Sequence, residues 1–314
     1  MAMQLRRVLQ DLHPTPITAV AYNAHKRELY TGSTEPQIKV WDSETGRFNR
    51  YLNGHKGTIS AILYIYESKA LISASMDNSI ILWTGKGDIL QQVFLSTPVY
   101  TLAHNERHNH LLVGGKKIAV VYKINAYNLD LLREPVFEEL QKFEHHSDFV
   151  RHIVCVESGR FFTIGHDHHA HIYDFEDPKY KRVKTESDMH EAAVTAVAYD
   201  GDNNRIISGS FDRTAKMWTT DAFKVVQTFK PFTDAPTGIV HIPATNSIWV
   251  AINQNVPIVL DPRTYQNVTE FKYQLDPAQL AELPVETKLL KLFSYPQTGE
   301  VLATTDKRHV VMWR

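Results

Sequence analysis

Apolar and polar residues alternate along much of the chain, and the alternation breaks at short, regular intervals. Ile17, Val20 and Tyr22 alternate in this way, as do Ile59, Ile62 and Tyr64, and Val194, Val197 and Tyr199. Compact runs follow, such as LISAS (71–75) and IISGS (206–210), then a turn, then IILW (80–83) and AKMW (215–218). Period-two alternation places one face of a strand in a core, and the recurring run, turn and run reads as antiparallel β-structure.

A polar pattern keeps register with the apolar one. Eighteen residues after His13, His55, His145 and His190 stand Thr31, Ser73, Thr163 and Ser208. Four residues further on stand Glu35, Asp77, Asp167 and Asp212, and six beyond those Trp41, Trp83, Tyr173 and Trp218. Four segments aligned without a gap establish an internal repeat. Indole donates only, carboxylate accepts only, and imidazole does both. A Trp–Ser–His–Asp chain can therefore satisfy several buried polar groups at once and fix one strand register.

LNGH (52–55), SASMD (73–77) and KVWD (39–42) resemble the WD-repeat family of β-propellers, whose period is about 40–45 residues. The resemblance implies structural tetrads His13/Thr31/Glu35/Trp41, His55/Ser73/Asp77/Trp83, His145/Thr163/Asp167/Tyr173 and His190/Ser208/Asp212/Trp218. Glu in the first and Tyr in the third depart from the pattern, so weaker relays are expected there.

Spacing between the aromatic anchors leaves room for one hidden blade between Trp83 and Tyr173, with KIAVVY ending at Tyr122 as its third strand. Leu95 and Val113 replace its His and Ser. Two more blades fit after Trp218. GIVHI, SIWVAI and PIVL form one, with Thr233 and Ala251 at tetrad positions. LLKLF, EVLATT and HVVMW form the other, with Val285, Ala303 and Lys307 replacing the relay. The expected fold is all-β: a seven-bladed propeller in a single domain spanning residues 1–314. An N-terminal strand at 5–12 closes its ring on the last blade. Insertions are expected at 125–139, between blades 3 and 4, and at 275–286, between blades 6 and 7. The second should carry a short helix at 277–283, capped by Asp276 and stopped by Pro284.

Composition narrows the function classes. The chain has 314 residues, 43% hydrophobic and 22% charged, so a core needs no staples. Lys plus Arg number 34 against 35 Asp plus Glu, a net charge of −1, which offers no field for strong nucleic-acid binding. The single cysteine, Cys155, excludes an internal disulfide and reads as a small core residue. No signal peptide or membrane-length apolar run is evident, so an intracellular chain, cytoplasmic or nuclear, without membrane insertion is expected.

Ser, His and Asp recur in four blades, and a catalytic site is normally singular, so no enzyme activity is expected. The histidine run HDHHAH (166–171) falls on a strand hairpin whose alternate residues face opposite sides. It reads as a polar turn, and no metal or cofactor is expected.

Propellers of the resembled family serve as docking platforms, and the resemblance implies a partner on the top face. The positions three after the tetrad His are Pro16, Thr58, Asp148 and Ala193, and those five after are Thr18, Ser60, Val150 and Thr195. Those before the tetrad acid are Thr34, Met76, His166 and Phe211. Thr34, Thr58, Met76, Asp148, His166 and Phe211 are the expected partner contacts, with Met76 and Phe211 as apolar anchors. The expected function is a non-catalytic scaffold, a monomeric propeller within a protein complex. The alternative is a substrate receptor of a cullin-type ubiquitin ligase, on the weak similarity of LDPR (260–263) to a W-D-x-R box, through Asp261 and Arg263.

Overall fold

The structure is a computed structural model that describes residues 5–125, 136–229, 232–264 and 287–314. Strand β1 spans Leu5–Leu9. The first blade then runs β2 (Ile17–Asn23), β3 (Glu28–Ser33), β4 (Ile38–Asp42) and β5 (Phe48–Leu52). The second runs β6 (Ile59–Ile65), β7 (Ala70–Ser75), β8 (Ser79–Trp83) and β9 (Ile89–Phe94). The hidden blade is present as β10 (Val99–Asn105), β11 (His110–Gly115), β12 (Ala119–Ile124) and β13 (Phe137–Phe143). The fourth has β14 (Val150–Val156), β15 (Arg160–Gly165), β16 (Ala170–Asp174) and β17 (Arg182–Glu186). The fifth has β18 (Val194–Asp200), β19 (Arg205–Ser210), β20 (Ala215–Thr219) and β21 (Val225–Phe229). The sixth has β22 (Gly238–Ile242), β23 (Ser247–Ala251) and β24 (Ile258–Leu260), and the last has β25 (Leu289–Tyr295), β26 (Glu300–Thr305) and β27 (Val310–Trp313).

These strands form seven antiparallel sheets, each a meander in chain order apart from β1, so the fold is a seven-bladed β-propeller. Strand β1 pairs with β27, with Leu9 opposite Val310 and Val8 opposite Val311, and so supplies the outer strand of the last blade. The pairing is sealed by side chains: Leu5, Leu9 and Leu12 are buried, and Arg6 Nη1 donates to the buried Glu300 at 2.9 Å.

The chain divides into two compact units. Blades 1 to 4 make up one, and blades 5 to 7 with the N-terminal strand make up the other. Within each, second and third strands are the most buried, because both of their faces lie under neighbouring sheets. In the first unit Ile72, Ile80 and Leu82 pack with Val99, Val113 and Val120 of the next blade. In the second, Trp249 and Ala251 pack with Val301, Val311 and Trp313. Gly238 shows how tightly blades approach: a Cβ there would lie 2.7 Å from the backbone nitrogen of Leu292.

Strand β13 begins at Phe137, so residues 137–139 of the expected insertion 125–139 belong to the fourth strand of blade 3, and the lengthened connection lies within that blade. Phe137 is buried beside Val136 and Tyr122, and this drives its recruitment to the sheet. The rest of that insertion from residue 126 to 135, the insertion at 275–286, its helix and Val285 lie outside the described residues. The sole helical element among the described residues is a 3₁₀ turn at Pro243–Thr245, and none of their helices is long and apolar enough to cross a membrane.

Candidate functional site

The polar repeat builds closed relays. In blade 2, Trp83 Nε1 donates to Ser73 Oγ at 2.8 Å, and Ser73 Oγ lies 2.7 Å from His55 Nε2. His55 Nδ1 lies 3.2 Å from Asp77. Because Ser73 accepts from Trp83, its proton goes to Nε2, and the imidazole proton on Nδ1 faces the carboxylate. Burial holds the His55 pKa below its ordinary value, so the ring stays neutral. Burial pushes Asp77 up, but hydrogen bonds from Ser79 and the Lys56 N–H, with His55 beside it, outweigh that and hold it down. Blade 5 repeats the arrangement: Trp218 to Ser208 at 2.8 Å, Ser208 to His190 at 2.8 Å, and His190 to Asp212 at 2.9 Å.

A further hydroxyl completes each relay. Ser79 Oγ donates to Asp77 at 2.7 Å and Thr214 Oγ1 to Asp212 at 2.6 Å. The signal in the sequence is a hydroxyl two residues after the acid, in DNS and DRT. Blade 1 carries the pattern with Glu in place of Asp. Trp41 Nε1 donates to Thr31 at 2.8 Å, Glu35 pairs with Lys39 at 3.2 Å, and His13 is buried.

Blade 4 corrects the third tetrad. His146, not His145, carries its relay, with Nδ1 3.1 Å from Asp167 and Nε2 2.9 Å from Thr163. The exposed His145 instead places Nδ1 2.8 Å from the hydroxyl of Tyr173. The cause is the turn between β14 and β15. It has three residues, ending in Gly159 at φ +79°, where the β18–β19 turn has four, Gly201 to Asn204. The missing residue moves the histidine position one place along the chain.

The histidine run does not converge. His166 is exposed, His168 sits in the turn at φ +66°, and His169 Nδ1 bonds the carbonyl of Asp167. His171 holds Thr185 at 3.0 Å and the His145 carbonyl at 3.1 Å.

The one-residue shift also re-aims the rim. Three and five residues after His146 come Phe149 and Arg151, in place of the expected Asp148 and Val150. Val150 is fully buried. Phe149 stacks obliquely on Tyr100 of blade 3, with ring centroids 4.7 Å apart, and lies 6.3 Å from the His166 ring. Lys116 Nζ stands 5.6 Å over the Phe149 ring, and the Arg151 guanidinium 5.8 Å over Tyr100. Both cations are exposed, and both rings are half-buried. Asp148 stays at the edge of this cluster, 3.2 Å from His166 Nδ1. Sequence reasoning missed Tyr100 and Lys116 because they stand in the blade that lost its polar repeat.

The remaining expected contacts take the following places. Thr34 is exposed, and the Thr58 carbonyl accepts from Met76 N–H at 2.9 Å. Met76 is 37% exposed and Phe211, in the other unit, 62%. Asp261 accepts from the Arg263 N–H at 2.7 Å, an ordinary turn contact, and the Arg263 side chain is largely exposed.

Comparison with known proteins agrees with this architecture. The family model "WD domain, G-beta repeat" matches residues 4–42, 46–84 and 181–219. The chain is 27% identical over 240 residues to eukaryotic translation initiation factor 3 subunit I of Danio rerio, covering 72% of this chain and 70% of that protein. It is 21% identical over 222 residues to cilia- and flagella-associated protein 52 of Mus musculus, covering 68% of this chain and 34% of that one. The chain thus carries WD repeats at those three segments, within a β-propeller of antiparallel blades.

Proposed function

We propose that the chain is a non-catalytic interaction subunit that docks a protein partner on the rim of blades 3 and 4. The observation that carries this reading is the Tyr100–Phe149 pair, flanked by the exposed cations Lys116 and Arg151. Aromatic and Arg side chains dominate the buried centres of interfaces. The matching partner surface is an apolar segment with acidic neighbours. The relay hydroxyls support the absence of catalysis. Ser73 and Ser208 are each held between an indole N–H and an imidazole, buried, with no approach for a substrate. A relative named as a subunit of a translation initiation factor supports assembly into a complex. The turn at Asp261 and Arg263 gives no specific support to the ligase-receptor alternative.

The test is affinity capture from native lysate with the full chain and a Phe149→Ala/Arg151→Glu variant, with Met76→Ala/Phe211→Ala in parallel. A stoichiometric protein held by wild type and lost from the first variant, at unchanged melting temperature, supports this docking site. Retention by the first variant and loss from the second moves the site to the apolar anchors. Retention by both refutes rim docking.

A further inference from the structure

In the unit of blades 5 to 7, His241 on β22 faces the end of β18 and the turn that follows. Its Nε2 lies 3.3 Å from Oδ1 of Asp200 and 3.7 Å from Oδ2 of Asp202. The three ligand-type atoms all fall within 4.8 Å of one another. His241 and Asp200 are buried, with side chains 3% and 0% exposed, yet Nε2 makes no hydrogen bond. A buried ring nitrogen without a partner loses its hydration with nothing to replace it, and calls for an explanation.

We infer that His241, Asp200 and Asp202 form a binding site for a zinc-class divalent cation. Two metal bonds of about 2.1 Å at a tetrahedral angle hold their donor atoms roughly 3.4 Å apart. The observed 3.3 and 3.7 Å bracket that separation, while the approach to Asp200 lacks hydrogen-bond geometry. One imidazole with two carboxylates suits zinc, whereas magnesium and calcium favour all-oxygen sets. The Asp200 carboxylate is already oriented: Asn203 N–H donates to Oδ1 at 3.1 Å and Asn203 Nδ2 to Oδ2 at 2.8 Å. Outer hydrogen bonds of this kind hold a metal ligand in place. Asp202 is 53% exposed, which gives the ion an entry path and leaves a fourth position to water. A bound ion would clamp the β18–β19 turn of blade 5 to β22 of blade 6. The site is separate from the histidine run at 166–171.

The test titrates chelator-stripped, untagged full chain with zinc chloride by calorimetry and follows the melting temperature with and without zinc. Asp202→Asn lies in a half-exposed turn, so the variant keeps the fold. His166→Asn/His168→Asn controls for the histidine run. The expected result is one zinc ion per chain and a higher melting temperature. Affinity should fall at least about tenfold in Asp202→Asn, hold in the histidine-run variant, and show no counterpart with magnesium. Absence of zinc uptake by wild type overturns the inference, as does binding unchanged in Asp202→Asn or lost in the histidine-run variant.

Discussion

Nδ1 of His146 lies 3.1 Å from both carboxylate oxygens of Asp167, while the neighbouring His145 turns outward to the hydroxyl of Tyr173. Adjacent histidines therefore have unequal weight. His146→Ala leaves Thr163 and Asp167 without their buried partner and should cost roughly 1–3 kcal/mol. His145→Ala removes one side-chain hydrogen bond of an exposed ring and should cost under about 1 kcal/mol. Urea unfolding of both variants reads the difference, and equal losses would contradict the assignment.

Acid should weaken the fold through His171. Burial, then the charge of His146 and Arg182, lowers its pKa from the ordinary 6.5 to about 4. The unfolded chain therefore takes up a proton that the folded chain refuses. Stability is unaffected above about pH 6.5 and falls as pH drops toward 4, by up to about 1.4 kcal/mol per pH unit from this residue. Asp77 and Asp212, held below the usual carboxylate range, add losses at still lower pH. Urea midpoints at pH 7 and pH 5 measure the slope, and His171→Gln should reduce it by that residue's share, leaving the part carried by the half-buried His110 and the buried His55.

Deleting residues 1–12 should strongly destabilise the last blade. Leu5, Leu9 and Leu12 lose their buried sites, together worth on the order of 5 kcal/mol. Glu300, 2% exposed in its side chain, also loses Arg6. An unchanged melting temperature in the truncated chain would show that β1 is dispensable.

Phe211→Ala should leave stability within about 0.5 kcal/mol of wild type, because the ring is 62% exposed. A larger loss in thermal melts would assign Phe211 to packing rather than to partner contact.

The blades were legible because strand alternation survives where the polar repeat does not. Leu95 and Val113 stand in place of His and Ser, yet β10 to β12 form where the apolar positions require. Both relays that follow the consensus, at Trp83 and Trp218, close as their spacing implies. The rest was hidden for specific reasons. With histidines at both 145 and 146, a gap-free alignment could not reveal the shortened β14–β15 turn, and Phe149 and Arg151 escaped with it. Tyr100 and Lys116 carry no repeat signature. His241 meets Asp200 only through the packing of β22 on β18, which no local spacing encodes.

The pairing of β1 with β27 also sets an order of events during synthesis. At about 5–20 residues per second, the roughly 300 residues between the two strands take on the order of 15–60 s to emerge. Throughout that interval Leu5 and Leu9 have no sheet to enter, and a short apolar strand waits in the open. The nascent chain thus carries a sticky segment until its final strand arrives, and would gain from a chaperone that covers it.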